Sequence, residues 1–221
     1  MGQSPMVETA SYLAYFFYVF ASVFIIVNPV EATMVFISLT PGDSSRERAR
    51  ISFRAASVAY LVAILFALTG DLVLRFFGTN VDSLQVAGGL LLFIMAIEML
   101  KAKPRRKVTE AEMVDANERE DISIFPLATP LLTGPGAITT VIVLMGTAEG
   151  PFEKGVVLLA LTATFLATYL ILRSSEYIDR ILGLTGILVM TRIMGLMLGA
   201  IAVNFVAVGA WNIYAGMAGL S

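Results

Sequence analysis

Two short stretches hold residue types that together could bind a small anion. One reads Asn28-Pro29-Val30-Glu31-Ala32-Thr33, and the other Thr133-Gly134-Pro135-Gly136-Ala137-Ile138-Thr139. Each lies inside a long apolar run. Proline has no N–H and crowds the preceding turn, so it breaks or kinks a helix. Asn before Pro is a helix-start signature, with Asn as the cap and Pro at the first helical position. Gly-Pro-Gly serves similarly and admits a second backbone at close range. A helix that begins at such a point carries unpaired N–H groups and a partial positive charge. That is chemistry for a carboxylate or a similar small anion. The donors would be the backbone N–H groups of Val30, Glu31 and Ala32, and of Gly136, Ala137 and Ile138. Asn28, Thr33, Thr133 and Thr139 would add side-chain hydrogen bonds. The candidate substrate-binding set is therefore Asn28, Pro29, Val30, Glu31, Ala32 and Thr33, with Thr133, Gly134, Pro135, Gly136, Ala137 and Thr139. The competing reading is a pair of proline kinks satisfied by neighbouring helices. Two breaks at equivalent places favour a site.

Few other residues offer chemistry. The sequence has no Cys and no His. That removes disulfides, Cys/His metal sites, thiol nucleophiles and any Ser-His pair. No catalytic residue, metal or cofactor is expected, and an intramembrane enzyme is disfavoured. Charges inside apolar runs are costly and tend to be functional. Glu31 would sit in the first turn of its helix, where a carboxylate is favoured. It could carry a coupling proton or simply cap the helix. Arg192 could bind a substrate carboxylate, pair with Glu31, or snorkel to the membrane surface. Asn204 could contact substrate or another helix. Asp71 and Arg75, four apart, read as an ordinary helical ion pair. Glu98 near Lys101 reads as structural.

The elements that must position these residues are membrane helices. Of 221 residues, 57% are hydrophobic and 14% charged, with a mean hydropathy of +0.83. Soluble domains are about a quarter charged. A net charge of −2 also speaks against a nucleic-acid partner. Six runs reach the roughly 20 apolar residues that a spanning helix needs. They are 12–40, 51–74, 84–100, 122–145, 155–172 and 184–210. The first would be about 43 Å of ideal helix, long enough to hold a break. The segment from Ser174 to Gly183 reads as an interfacial turn. No Lys or Arg precedes Arg46, so a cleaved leader is not expected. Twelve of the 15 basic residues fall in loops on one side: Arg46, Arg48, Arg50 and Arg54; Lys101, Lys103, Arg105, Arg106, Lys107 and Arg119; Arg173 and Arg180. Only Arg75 and Lys154 fall on the other. The positive-inside rule then puts both termini outside a plasma membrane. Tyr12 to Tyr18, Trp211 and Tyr214 read as aromatic belts at that outer face.

One shift of 106 residues (135 − 29) relates the two ends of the chain. It lays Pro29 on Pro135, Gly89 on Gly195, Leu92 on Leu198 and Ala96 on Ala202. Three spans is an odd number, so the second copy would lie inverted in the bilayer, an arrangement of secondary transporters. The expected fold is all-α, with six transmembrane helices in two inverted three-helix repeats and discontinuous helices 1 and 4. Residues 1–100 form the first repeat, 101–121 a cytoplasmic connecting loop, and 122–221 the second repeat. Gly195 and Gly199 form a small-xxx-small pair suited either to an internal helix contact or to a dimer.

Several stretches resemble the MarC/SnatA family of small integral membrane proteins. They are Asn28-Pro29 with Phe36 downstream, 70–78 (GDLVLRFFG), 87–93 (AGGLLLF), 125–137 (FPLATPLLTGPGA) and 191–196 (TRIMGL). The resemblance implies six spans and, for some members, transport of small neutral amino acids such as glycine and alanine, coupled to an ion gradient, most simply protons. Glu31 stands where glycine is expected in the family, and the proline expected near Met34 is absent. The expected partners are a small zwitterion, a proton and the lipid bilayer. A passive channel for a small solute and an exporter of drugs or metabolites are the alternatives.

Overall fold

The computed structural model describes residues 5–101 and 123–219. The described residues are helical almost throughout. In chain order they form α1 (Pro5–Val27), α2 (Pro29–Leu39), α3 (Ser45–Phe76), α4 (Val81–Lys101), α5 (Ser123–Leu132), α6 (Pro135–Gly146), α7 (Pro151–Arg173) and α8 (Ser175–Ala218). Five segments are long and apolar enough to cross a bilayer: Ser11–Leu39, Ser45–Phe76, Val81–Lys101, Pro151–Arg173 and Ser175–Ala218. α5 and the shorter apolar α6 together supply a sixth candidate. The basic run from Lys103 to Lys107 and most of the expected connecting loop lie outside the described residues.

The helix ends follow local chemistry. α3 starts behind Ser44, whose hydroxyl accepts the Glu47 N–H. It is therefore helical from Ser45, six residues ahead of the apolar run. A cap and an arginine-rich first turn can extend beyond the lipid-facing part. α8 reaches Ala218, past the expected end at Ala210. Residues 175–182, expected as a turn, are helical, and Gly183 alone breaks the path with φ 58 and ψ −179. Glycine tolerates that φ because it lacks a Cβ. Ser174 accepts the N–H groups of Tyr177 and Ile178, which starts the short helix despite its polar composition.

α3 shows how the bundle is sorted. Ala55, Ala59, Ala63, Ala67 and Gly70 are buried, while Leu61, Leu65, Leu68 and Leu72 are all more than half exposed. Small residues face the protein and large ones face outward. That is the order expected where lipid replaces water and helices associate by close packing. α1, α2, α3, α5, α6 and α7 share the main core, which includes Val23, Phe36, Ala63, Leu132, Val141 and Leu161. A second cluster, with Leu92, Ala96, Leu198, Ala202 and Phe205, joins α4 to α8 and includes Ile26 and Ala137.

α4 and α8 form the most extensive helix pair. A Cβ added at Gly89 would lie 2.9 Å from both Ala202 O and Val206 N. One added at Gly195 would lie 3.2 Å from both Ala96 O and Leu100 N. Gly195 therefore serves a contact within the chain. The two contacts are reciprocal, since 195 − 89, 202 − 96 and 206 − 100 are the same number. The starts of α2 and α6, and those of α3 and α7 (151 − 45), repeat it. Asn212 Nδ2 donates to Asp82 Oδ1 at 2.9 Å and ties the far end of α8 to the start of α4.

Candidate functional site

The two proline-marked helix starts differ in how their N–H groups are satisfied. Between α1 and α2 only Asn28 departs from helix. It takes a left-handed conformation, φ 47 and ψ 60, which asparagine tolerates better than most residues. Its Oδ1 accepts the Glu31 N–H at 3.4 Å, and its Nδ2 donates to Glu31 Oε2 at 2.5 Å. This reciprocal cap resembles a capping box, with the carboxylate at the third helical position. The Ala32 N–H is engaged by Asn28 O at 3.1 Å. So of the three donors expected at this end, Glu31 and Ala32 are already bonded, and Val30 is left. Thr33 Oγ1 donates to Val30 O at 2.6 Å, which leaves its lone pairs rather than its proton for other partners.

The second start is built otherwise. α5 is a π-helix, with i→i+5 spacing. Its prolines at 126 and 130 supply no N–H, so the ordinary ladder is interrupted there. π-helical turns are rare and concentrate at functional sites. Thr133 closes the segment, with its N–H and its Oγ1 both donating to Ala128 O, at 3.1 and 2.7 Å. Gly134 is extended, and no side chain caps α6. Ile138 N–H bonds to Gly134 O at 3.1 Å, so it belongs to the helix ladder and not to the donor set. With Pro135 lacking a donor, the N–H groups of Gly136 and Ala137 have no partner within the helix.

Both starts pack beside the α4–α8 pair. A Cβ at Gly136 would meet Met95 Sδ at 2.9 Å and Leu92 Cδ2 at 3.0 Å. Thr139 turns its methyl group toward Gly88, so close that any side chain there would displace it. Val30 clusters with Ile187 and Met194 of α8. Ile26, just ahead of the first break, shares a cluster with Ala137 of the second. Asn28, Pro29, Val30, Ala32, Thr33, Thr133, Gly136 and Ala137 are buried; Glu31, Gly134 and Thr139 are half-buried, and Pro135 is exposed.

The outlying charges lie elsewhere. Arg192 and Asn204 stand on exposed positions of α8, and the salt bridges among the described residues do not include Arg192. Glu98 is likewise exposed. Asp71 and Arg75 pair at 3.0 Å, as their spacing predicts. Among the described residues three buried side-chain oxygens have no hydrogen-bond partner, Gln85 Oε1, Thr140 Oγ1 and Thr191 Oγ1, and sequence reasoning had singled out neither Gln85 nor Thr140. A buried unmet polar atom costs about 1–3 kcal/mol, so each marks a place where water or a polar solute is welcome. Gln85 and Thr191 are 106 residues apart, the shift already present in the sequence. No group of three or more Asp or Glu suited to a metal occurs among the described residues.

The chain matches the MarC family of integral membrane proteins over residues 13–214. A UPF0056 membrane protein of Methanocaldococcus jannaschii is 39% identical over 197 residues, covering 89% of this chain and 96% of the relative. The UPF0056 membrane protein YvbG of Bacillus subtilis is 34% identical, covering 87% and 92%. YhcE of Escherichia coli is 33% identical, covering 96% and 99%. No solved structure matches significantly. Apolar spanning helices and a match across nearly the whole chain lead to one assignment: this is a multi-pass integral membrane protein of the MarC family.

Proposed function

We propose that the protein is a secondary transporter of small neutral amino acids, glycine and alanine in size, working by alternating access. The observation that carries this reading is the unlike chemistry of the two helix starts. The α6 start is uncapped, with the Gly136 and Ala137 N–H groups available at the positive end of a helix. The α2 start already holds its own carboxylate, Glu31, on Asn28. A zwitterion has one group for each: its carboxylate for the α6 start, its ammonium for Glu31 and the lone pairs of Thr33. Leu92 and Met95 crowd Gly136, which limits the substrate side chain to a small one. Glu31, half-buried at a helix start, is the group we assign to the coupling proton.

The architecture we infer behind this is two inverted three-span repeats, 1–100 and 122–221, with helices 1 and 4 discontinuous and residues 101–121 a cytoplasmic link. The reciprocal glycine contacts of α4 and α8 support it, because a twofold-related pair must exchange such contacts. The pairing of α3 with α7, and of α1 with α7 where α5 pairs with α3, supports it as well. Rocking of one repeat against the other would open the site alternately. The charge asymmetry of the loops favours a plasma-membrane protein with both termini outside.

The test is calorimetric binding to detergent-solubilised protein. Glycine and alanine should bind, leucine and phenylalanine should not, and Gly136→Val should abolish binding while Gly136→Ala weakens it. Absence of binding by folded wild-type protein would defeat the amino-acid assignment.

A further inference from the structure

A cavity lies away from the helix starts, where α3 and α7 pack together at the outer surface of the bundle. It is a cleft of ≈ 170 Å³ lined by Phe53, Ser57, Tyr60, Phe165, Leu166 and Tyr169. Its lining is almost wholly apolar and aromatic. Tyr60 and Phe165 meet at 6.0 Å between ring centroids, and Phe53 and Tyr169 at 5.7 Å edge-on. The Tyr60 hydroxyl is satisfied by Thr162 Oγ1 at 3.1 Å, so that part of the wall presents ring faces.

One end of the cleft is cationic. Arg173 Nη1 donates to the Tyr169 hydroxyl at 3.1 Å, which holds the guanidinium at the mouth. Arg50 stands one turn before Phe53 on α3, on the same side of that helix. Both arginines are exposed. The acidic neighbours are otherwise engaged: Glu176 pairs with Arg48, and Glu47 takes the Ser44 hydroxyl. The start of α3 lies beside the end of α7, as the Phe53–Tyr169 contact shows, and Arg48 of α3 pairs with Glu176 at the start of α8, three residues past Arg173. An apolar slot on a membrane helix surface, opening onto two cations at the level of the helix ends, has the polarity of a phospholipid with a net negative headgroup.

We infer that this α3–α7 cleft is a binding site for one anionic phospholipid, with an acyl chain against Phe53, Tyr60 and Phe165 and its phosphate on Arg173 and Arg50. Arginine suits this role because its fork binds phosphate oxygens in pairs. A neutral zwitterionic lipid offers the same chain and phosphate, but its own ammonium competes for the phosphate and leaves no net attraction. A second copy of this chain would bring mainly positive charge to the arginines, since the exposed charges of α3 and α7 at this level are Arg46, Arg50, Arg54 and Arg173 against Glu47 alone.

The test is native mass spectrometry of the full chain released from detergent, with phosphatidylglycerol or phosphatidylcholine of identical chains added. One phosphatidylglycerol should be retained in preference to phosphatidylcholine. Arg173→Gln should lower that retention about fivefold, and Arg50→Gln with it further, as expected for the loss of a cation near an anionic headgroup. Ser57→Phe, which fills the slot without touching a charge, should lower retention of phosphatidylglycerol as well. Equal retention of both lipids, or unchanged preference in the arginine variants, overturns the inference. So does a headgroup effect that Ser57→Phe leaves intact, because the cleft would then be irrelevant. A dimer in place of a lipid adduct overturns it too. Unfolding midpoints of each variant separate loss of lipid from loss of fold.

Discussion

Replacing Gly195 by alanine should destabilise the protein, while the same change one turn later, at Gly199, should not. At Gly195 the new Cβ would stand 2.8 Å from Met99 Cβ and 3.2 Å from Ala96 O and Leu100 N. Two of those atoms are backbone and the third is fixed to it. None can rotate away, so α8 must move from α4 by several tenths of an ångström. At Gly199 the nearest atom, Ala96 Cβ, would be 3.7 Å away, an ordinary contact. Alanine is favoured over glycine within a helix by about 0.8–1 kcal/mol, and that gain is common to both sites. It cancels in the comparison. What remains is the overpacking term, typically about 1–3 kcal/mol. Gly199→Ala should match or exceed the wild type, and Gly195→Ala should fall below Gly199→Ala by about 1–3 kcal/mol. Gly89→Ala should behave like Gly195→Ala, because its Cβ meets Ala202 O and Val206 N at 2.9 Å. Reversible unfolding of the purified variants in mixed micelles measures the difference. Equal stability of Gly195→Ala and Gly199→Ala would refute the close α4–α8 approach and the reciprocal packing on which the repeat architecture rests.

Three further outcomes follow from the geometry. Asn28→Ala should cost more stability than Asn28→Gly in the same assay. Alanine loses the cap and must hold φ 47, a left-handed conformation that costs about 1–2 kcal/mol, whereas glycine loses only the cap. Glu31→Gln should raise the KM for exchange of alanine across liposome membranes, since the ammonium loses its carboxylate partner, and should abolish uptake driven by a pH gradient; retention of gradient-driven uptake would remove Glu31 from coupling. Because the sequence contains no cysteine, single cysteines at Asp43 and Thr79 report orientation. An impermeant maleimide applied to intact cells should label Thr79→Cys and spare Asp43→Cys, and the reverse pattern would invert the assigned topology.

Most of the helical layout was legible because its signals are local. Asn28-Pro29 specifies a helix start through one side chain and one missing donor, and the structure has that cap at that residue. The ion pair of Asp71 with Arg75 needs only a four-residue spacing. The small face of α3 was not read in advance, although Ala55, Ala59, Ala63 and Ala67 recur every four residues. What was not legible depends on longer-range or cumulative geometry. The π-helical path of α5 arises from two prolines four apart acting together, and a single proline would have suggested only a kink. The short helix 175–182 is polar and brief, so composition favoured a turn, but the Ser174 carbonyl starts it. Capping consumed donors that a list of N–H groups had left open, at Glu31 and Ala32. Gln85 and Thr140 went unnoticed since an amide or hydroxyl on an apolar helix ordinarily bonds nearby; their isolation is visible only once neighbouring helices are in place.

The most direct test of transport at these helix starts is counterflow in proteoliposomes loaded with unlabelled alanine and diluted into a trace of labelled glycine or alanine. The account predicts transient accumulation of label above equilibrium, saturable, and abolished by Gly136→Val. Label that merely equilibrates, with no overshoot at any internal concentration, would contradict alternating access and leave a passive pore in its place.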